Sequence, residues 1–270
     1  MADKSRLSLN QITTPKWSVG EAVEACARRG VRCIGLWRHK IEEAGLASCV
    51  RVVEDAGIHV SSVCRGGMFP ATTESEPRKN IEDNFRAVDE AAALHADSLV
   101  MVVGGCSGTG IDDARKMVAD GIAAVVPYAA KHGVRIGLEP LHPMYAAERS
   151  VLVTITQALE LAAAYDPQEV GVILDTFHIW WDPQVAQLIE RSAGRIYGFH
   201  VSDWLVPLPD VLLGRGLMGD GVIDNRKLRL LVEQAGYTGP IEVEIFNRTL
   251  WESDPDSVLT QVIERFEKFV

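Results

Sequence analysis

Three things are scarce in this 270-residue chain: long apolar runs, basic charge and paired cysteines. No segment reaches the roughly 18 uninterrupted apolar residues that a membrane-spanning helix needs. The opening stretch MADKSRLSLNQITTPKW scatters charges where a signal peptide would carry its apolar core, which points to a cytoplasmic protein with no membrane partner. Lys and Arg number 27 against 37 Asp and Glu, a formal net charge of -10. With no basic stripe to neutralise phosphates along a duplex, a nucleic-acid partner is not expected, and small neutral substrates fit better. The five cysteines (Cys26, Cys33, Cys49, Cys64, Cys106) are odd in number and form no Cys-x-x-Cys pair, so neither a disulfide framework nor a zinc-thiolate site is indicated. They read as small buried apolar residues. Neither a linker nor a low-complexity stretch divides the chain, and no Gly-x-Gly-x-x-Gly follows the first strand candidate. Those absences argue for one domain over residues 1–270 and against a doubly wound dinucleotide fold.

What is present is an apolar fraction of 47% and a charged fraction of 24%, as expected of a globular chain with a large core. Short β-branched runs alternate with longer amphipathic ones. The strand candidates are RLSLN (6–10), VRCIGLW (31–37), IHVSSVC (58–64), SLVMVV (98–103), VRIGLE (134–139), VGVILD (170–175), RIYGFHV (195–201) and PIEVEIF (240–246). Between them lie helical patterns such as SVGEAVEACARRG and DNRKLRLLVEQAG, with apolar residues at spacings of three and four and glycine near several ends. Eight regular βα units call for a parallel sheet closed into a (β/α)8 TIM barrel, an α/β fold of about 250 residues. The segments after the third, fourth, fifth and seventh strands are long, which marks the C-terminal mouth as the working face.

Four consecutive strands end in ligand-type side chains: Glu139 in Leu138-Glu139-Pro140, Asp175 in Leu174-Asp175-Thr176, His200 in Phe199-His200-Val201 and Glu244 in Val243-Glu244-Ile245. Any one of them alone could be a solvated rim residue or a helix cap. All four at the same place in adjacent strands would repel one another unless a cation sat among them, because an unpaired buried carboxylate costs several kcal/mol. Three carboxylates and an imidazole make a hard, mostly oxygen donor set that suits one Mn²⁺ or Mg²⁺ ion, with Co²⁺ or Zn²⁺ as further options.

The motifs LEPLHPMY (138–145), ILDTFHIWW (173–181), YGFHVSDW (197–204) and GPIEVEIFN (239–247) resemble those of the xylose isomerase-like sugar isomerases and epimerases, among them ketose 3-epimerases and inosose isomerases and dehydratases. The likeness runs over essentially the whole chain. It implies that Glu139, Asp175, His200 and Glu244 hold the metal and that the reaction abstracts a proton beside a metal-bound carbonyl, through an enediolate. It implies that Glu139 and Glu244 are the two proton carriers on opposite sides of the substrate, and that His178 and Arg215, the latter followed by Gly219-Asp220-Gly221, bind its oxygens. A homodimer or homotetramer acting on a ketose, inosose or similar polyol-derived ketone is also implied.

Other positions are read from their placement. His142, three residues beyond Glu139, is a substrate-binding candidate or the cap of a turn before Pro143. Trp180 and Trp181 offer apolar faces either to sugar C–H groups or to packing, and of the pair Trp181 is taken as a binding residue. Trp37 and Arg65 end the second and third strand runs and are expected to line the pocket opposite the metal. The glycine-rich run 104–110 lacks the Gly-Lys-Ser/Thr of a phosphate loop and reads as a flexible lid. Glu242 shares the parity of Glu244, which points it into the barrel one layer below, with Gly198 leaving it room.

The motifs leave alternatives open. The same first proton abstraction could expel a β-substituent, making a dehydratase or lyase. An endonuclease IV-like hydrolase would need further histidines, for which His39 and His59 are the nearest candidates. A non-catalytic sugar-binding subunit is the remaining class.

Overall fold

The computed structural model describes residues 3–73, 76–106 and 108–270. Eight parallel strands close into a barrel: β1 (Leu7–Asn10), β2 (Cys33–Trp37), β3 (His59–Gly67), β4 (Leu99–Val102), β5 (Ile136–Leu138), β6 (Val170–Asp175), β7 (Ile196–Val201) and β8 (Ile241–Val243). Each pairs with its sequence neighbours, and β8 closes on β1 through Leu7 beside Ile241 and Leu9 beside Val243. Seven of the eight sequence runs contain their strand, β3 extends three residues past its run, and β8 is shorter than PIEVEIF. The strands are covered on both faces, so they carry near-continuous apolar runs instead of alternating ones.

The surrounding helices form where caps and periodicity agree. Helix Val19–Arg29 starts at Ser18, whose side chain accepts from Glu21 N while the Glu21 carboxylate accepts from Ser18 N, and it stops at Gly30 in the left-handed region. Its buried residues, Val19, Ala22, Val23, Ala25 and Cys26, make one stripe against the sheet. Helices Glu76–Ala93, Ile111–Lys131 and Asn225–Gln234 occupy the other long amphipathic patterns. None of the helices described is long and apolar enough to cross a membrane. The cysteines are all unpaired, four buried and Cys106 half-buried.

The barrel interior is polar at one level. Glu242 is 2% exposed, and its carboxylate accepts from Ser61 Oγ at 2.6 Å, Ser62 Oγ at 3.0 Å and Asn10 Nδ2 at 2.5 Å. Its place inside the barrel follows from strand parity, but the residue that leaves it room is Gly35 and not Gly198. A Cβ on Gly35 would run into the Glu242 carboxylate, whereas one on Gly198 would meet Ile173. Gly35 lies on β2, two strands from β8 around the barrel, and the carboxyl group reaches it across the interior.

The glycine-rich run after β4 is held, not free. Gly104 N donates to Arg149 O at 3.1 Å, Val151 N to Gly104 O at 2.9 Å and Cys106 N to Ala147 O at 2.9 Å. A side chain on Gly105 would collide with the Ala147 backbone, so the glycine serves close approach of two loops. Ser107, within that run, lies outside the described residues.

Gly35→Val is expected to destabilise the protein by about 2 kcal/mol or more, because the added branch must displace a buried, hydrogen-bonded carboxylate. Urea unfolding of the variant beside Gly198→Ala measures it; equal stability of Gly35→Val and the parent would contradict the placement of Glu242.

Candidate metal centre

Strand register decides which side chains meet at the mouth. Asp175, the last residue of β6, stands beside His200 of β7, and β7 in turn pairs with β8, which delivers Glu244 one residue past its end. Glu139 follows β5 directly. Both glutamates remain tied into the sheet by their backbones, Glu139 N donating to Met101 O and Glu244 N to Val201 O, each at 3.2 Å. Donor atoms of Glu139, Asp175, His200 and Glu244 lie within 4.8 Å of one another, and all four side chains are buried. His200 Nδ1 is 3.7 Å from both Glu139 Oε1 and Glu244 Oε2.

Two atoms of this set have no hydrogen-bond partner although water is excluded from them: Glu139 Oε1 and His200 Nδ1. Buried polar atoms are ordinarily satisfied. Orphaned atoms that face one another across a ring of oxygen donors are what a site for a divalent ion requires, so the donor set fits the metal that the motifs suggest.

The charges around the ring are unevenly distributed. Arg215 Nη1 donates to Asp175 Oδ2 at 2.7 Å, to Glu244 Oε2 at 3.1 Å and to the Glu244 carbonyl at 3.1 Å. Burial would push the Glu244 carboxyl up, but Arg215 and His200 outweigh it and hold the group down at about 2. Glu139 has no such partner: burial first, then the charge of Glu244, raise it to about 8. Burial opposes charge on His200, yet Glu242, Glu244 and Glu139 together lift it to about 10. Burial and like charge thus favour the proton on Glu139, while Arg215 and His200 disfavour it on Glu244.

His178, on the short helix Thr176–Ile179, faces Arg215, with Nε2 3.2 Å from Nη2. A guanidinium has only donors, so Nε2 is the acceptor and the ring proton sits on Nδ1. Burial first, and Arg215 next, push this imidazole well below its usual range, which keeps it neutral. Its Nδ1 is buried without a partner and is available as a donor.

Above the ring opens a cavity lined by Glu139, Glu244, His178 and Arg215 and, on other walls, by Trp37 and Arg65. His142 and Trp181 do not line it. His142 accepts from Met144 N as the cap of the 3-10 turn Pro143–Tyr145 and packs 4.9 Å from the Trp204 ring, while Trp181 donates its Nε1 to His178 O at 2.8 Å. Trp180 packs against Trp204 at 5.4 Å. His59 opens β3, paired with Asp97 at 2.7 Å, and His39 lies in the helix after β2; neither belongs to the metal-binding group.

Residues that motif reading passed over also shape the site. Asn10, the last residue of β1, donates to Glu242 and, at 3.3 Å, to Glu244, and accepts from Trp37 Nε1 at 2.7 Å. A polar residue ending an otherwise apolar strand was the available signal. Asp203 accepts from Gly219 N at 2.8 Å and Ile223 N at 2.9 Å, which fixes the turn after Arg215. Arg149 and Tyr145 enter the cavity from the loop after β5, where spacing carries no signal. The Tyr145 hydroxyl donates to Val211 O, joining that loop to the one after β7, and Leu212 beside it lines the cavity.

A model of the xylose isomerase-like TIM barrel family matches residues 23–269. The chain belongs to that family. Among curated proteins this family member is similar to 3-dehydroshikimate dehydratase of Pseudomonas putida, 28% identical over 236 residues that are 84% of this chain and 36% of that one. It is also similar to inosose isomerase of Halalkalibacterium halodurans, 24% identical over 48% of this chain and 46% of that one. The chain therefore spans between about a third and about half of the curated relatives it matches. The crystal structure of protein SMc04130 from Sinorhizobium meliloti 1021 superposes with a TM-score of 0.96 at 44% identity, over 99% of both chains.

Protons and a metal ion compete for the same atoms of Glu139 and His200, and both groups titrate above neutrality. Metal binding must therefore displace protons, so Mn²⁺ affinity is expected to rise by at least about tenfold per pH unit between about pH 6 and pH 7. Calorimetric titration in buffers of differing ionisation enthalpy measures both the affinity and the released protons; a pH-independent affinity would contradict this site as the place of binding.

Proposed function

We propose that the protein is a metal-dependent isomerase or epimerase that moves a proton at the carbon beside the carbonyl of a polyhydroxylated ketone. The observation that carries this reading is the convergence of Glu139, Asp175, His200 and Glu244, with donor atoms within 4.8 Å and two of them buried without partners. These four side chains would hold one divalent ion, with Mn²⁺ or Mg²⁺ suited to the oxygen-rich set. When bound, the ion supplies Lewis-acid polarisation of the substrate carbonyl, which makes the neighbouring C–H more acidic.

The protein groups divide the remaining work. Glu139 and Glu244, which come from β5 and β8 and both line the cavity, would act as the two proton carriers, one removing the proton and the other returning it. Arg215 orients Asp175 and Glu244 by donating to both carboxylates, and it holds Glu244 ionised. Neutral His178, its Nε2 engaged by Arg215, presents Nδ1–H to a substrate oxygen as negative charge develops there. Leu141, Phe246 and Trp37 exclude water from the cavity and give the substrate apolar surface.

A second outcome of the same first step is dehydration, in which the carbanion expels a β-hydroxyl. The similarity to the Pseudomonas putida dehydratase, which extends over 84% of this chain, favours it.

Metal-loaded protein incubated in D₂O with ketoses, inososes and keto-acids is expected to place deuterium at one carbon. Label gained without loss of substrate or with an isomer formed marks isomerisation; an unsaturated ketone marks elimination. Glu139→Gln should retain the fold and lose about 10²- to 10⁴-fold in turnover. Turnover unaffected by chelation of the metal or by Glu139→Gln removes the reading.

A further inference from the structure

The ion-pair pattern of the molecule contains an exception. Buried and half-buried arginines elsewhere have acidic or carbonyl partners: Arg215 holds Asp175 and Glu244, Arg38 holds Asp83 and Glu90, Arg6 and Arg229 hold Glu233, and Arg195 donates to three backbone carbonyls. Arg65 and Arg149 are half-buried and line the cavity, yet among the described residues neither forms an ion pair. The polar contact of the Arg65 guanidinium is the sulfur of Met68 at 2.9 Å. Arg149 lies over the Tyr145 ring, 5.7 Å from its centre.

The two arginines come from one arc of the barrel and the metal donors mainly from the other. Arg65 is on β3, and the backbone of Arg149 is bound to Gly104, which follows β4. Asp175, His200 and Glu244 belong to β6, β7 and the end of β8, and β3 stands across the barrel from β7. Burial first, and the proximity of Arg149 next, depress the Arg65 guanidinium, so two like charges crowd a low-dielectric space. Such a pair is stable when an anion lies between its members, and a planar guanidinium fork matches a carboxylate or a phosphate with two hydrogen bonds.

We propose that Arg65 and Arg149 form an anion subsite, so that the substrate is a polyhydroxylated ketone bearing a carboxylate or a phosphate on the side away from the metal-binding ring. This rests on the reading of the site given above and reverses the expectation, drawn from net charge, of a neutral substrate. The chain as a whole is acidic, but the wall of its cavity is locally basic. Arg65 and Arg149 act here as specificity residues, distinct from the proton carriers.

The test uses three probes in the metal-loaded protein: 3-dehydroshikimate for a carboxylate, D-fructose 6-phosphate for a phosphate and scyllo-inosose as the neutral control. Calorimetry is expected to show one of the anionic probes binding at least about 30-fold more tightly than the inosose, and which of the two does so identifies the anion. Arg65→Gln and Arg149→Gln should each weaken that probe by about tenfold or more, while inosose affinity and metal content stay at parental values. An inosose that binds as tightly as both anions, variants that weaken all three probes alike, or no binding by any probe overturns the subsite. The proton-transfer reading fails separately, when a probe binds in an arginine-dependent way but gains no deuterium from D₂O.

Discussion

Everything at the barrel mouth depends on keeping several carboxylates together where water cannot reach them. Burying an ion costs several kcal/mol, and like charges in low dielectric add to that cost. Arg215 offsets it by donating one nitrogen to both Asp175 and Glu244, and His200 contributes a second positive charge among three glutamates. Glu139 is pushed up by burial first and by the charge of Glu244 next, with His200 offsetting only part of the rise. The imbalance favours a cation within the ring. A cation in the ring would relieve the repulsion that folding left unresolved.

Layering carries this arrangement downward. Beneath the ring, Glu242 is surrounded by hydroxyl and amide donors from β1 and β3 and stands 3.8 Å from His200 Nε2. That carboxylate lies on the Nε2 side of the imidazole, while Nδ1 faces Glu139 and Glu244 in the ring. Asn10 links the two levels, since it bonds Glu242 below and Glu244 above while the Trp37 indole fixes its amide. The ring is therefore held from beneath by hydrogen bonds, while Arg65 of β3 and Arg149 of the loop after β5 stand in the cavity wall above it.

Much of this could be read from residue order. Strand positions follow from β-branched runs, and the convergence of Glu139, Asp175, His200 and Glu244 follows from their common place at four adjacent strand ends, because a barrel brings equal depths together. What could not be read depends on distance across the interior or on loop paths. Gly35, not Gly198, accommodates Glu242, since a long side chain spans the barrel instead of resting on its neighbour. His142 and Trp181 turn toward Trp204 and a backbone carbonyl, because loop residues obey no alternation. Arg149 is invisible for the same reason: nothing in its spacing says that its loop folds back against the segment after β4. Net charge is silent in a similar way, as a sum over 270 residues says little about a cavity whose wall holds Arg65, Arg149 and Arg215.

The bond from the Tyr145 hydroxyl to Val211 O joins two loops that also meet where His142 packs on Trp204. A strap of this kind couples their motions, so that widening the entrance on one side drags the other. Widening the entrance would require that bond and the ring packing beside it to give way together.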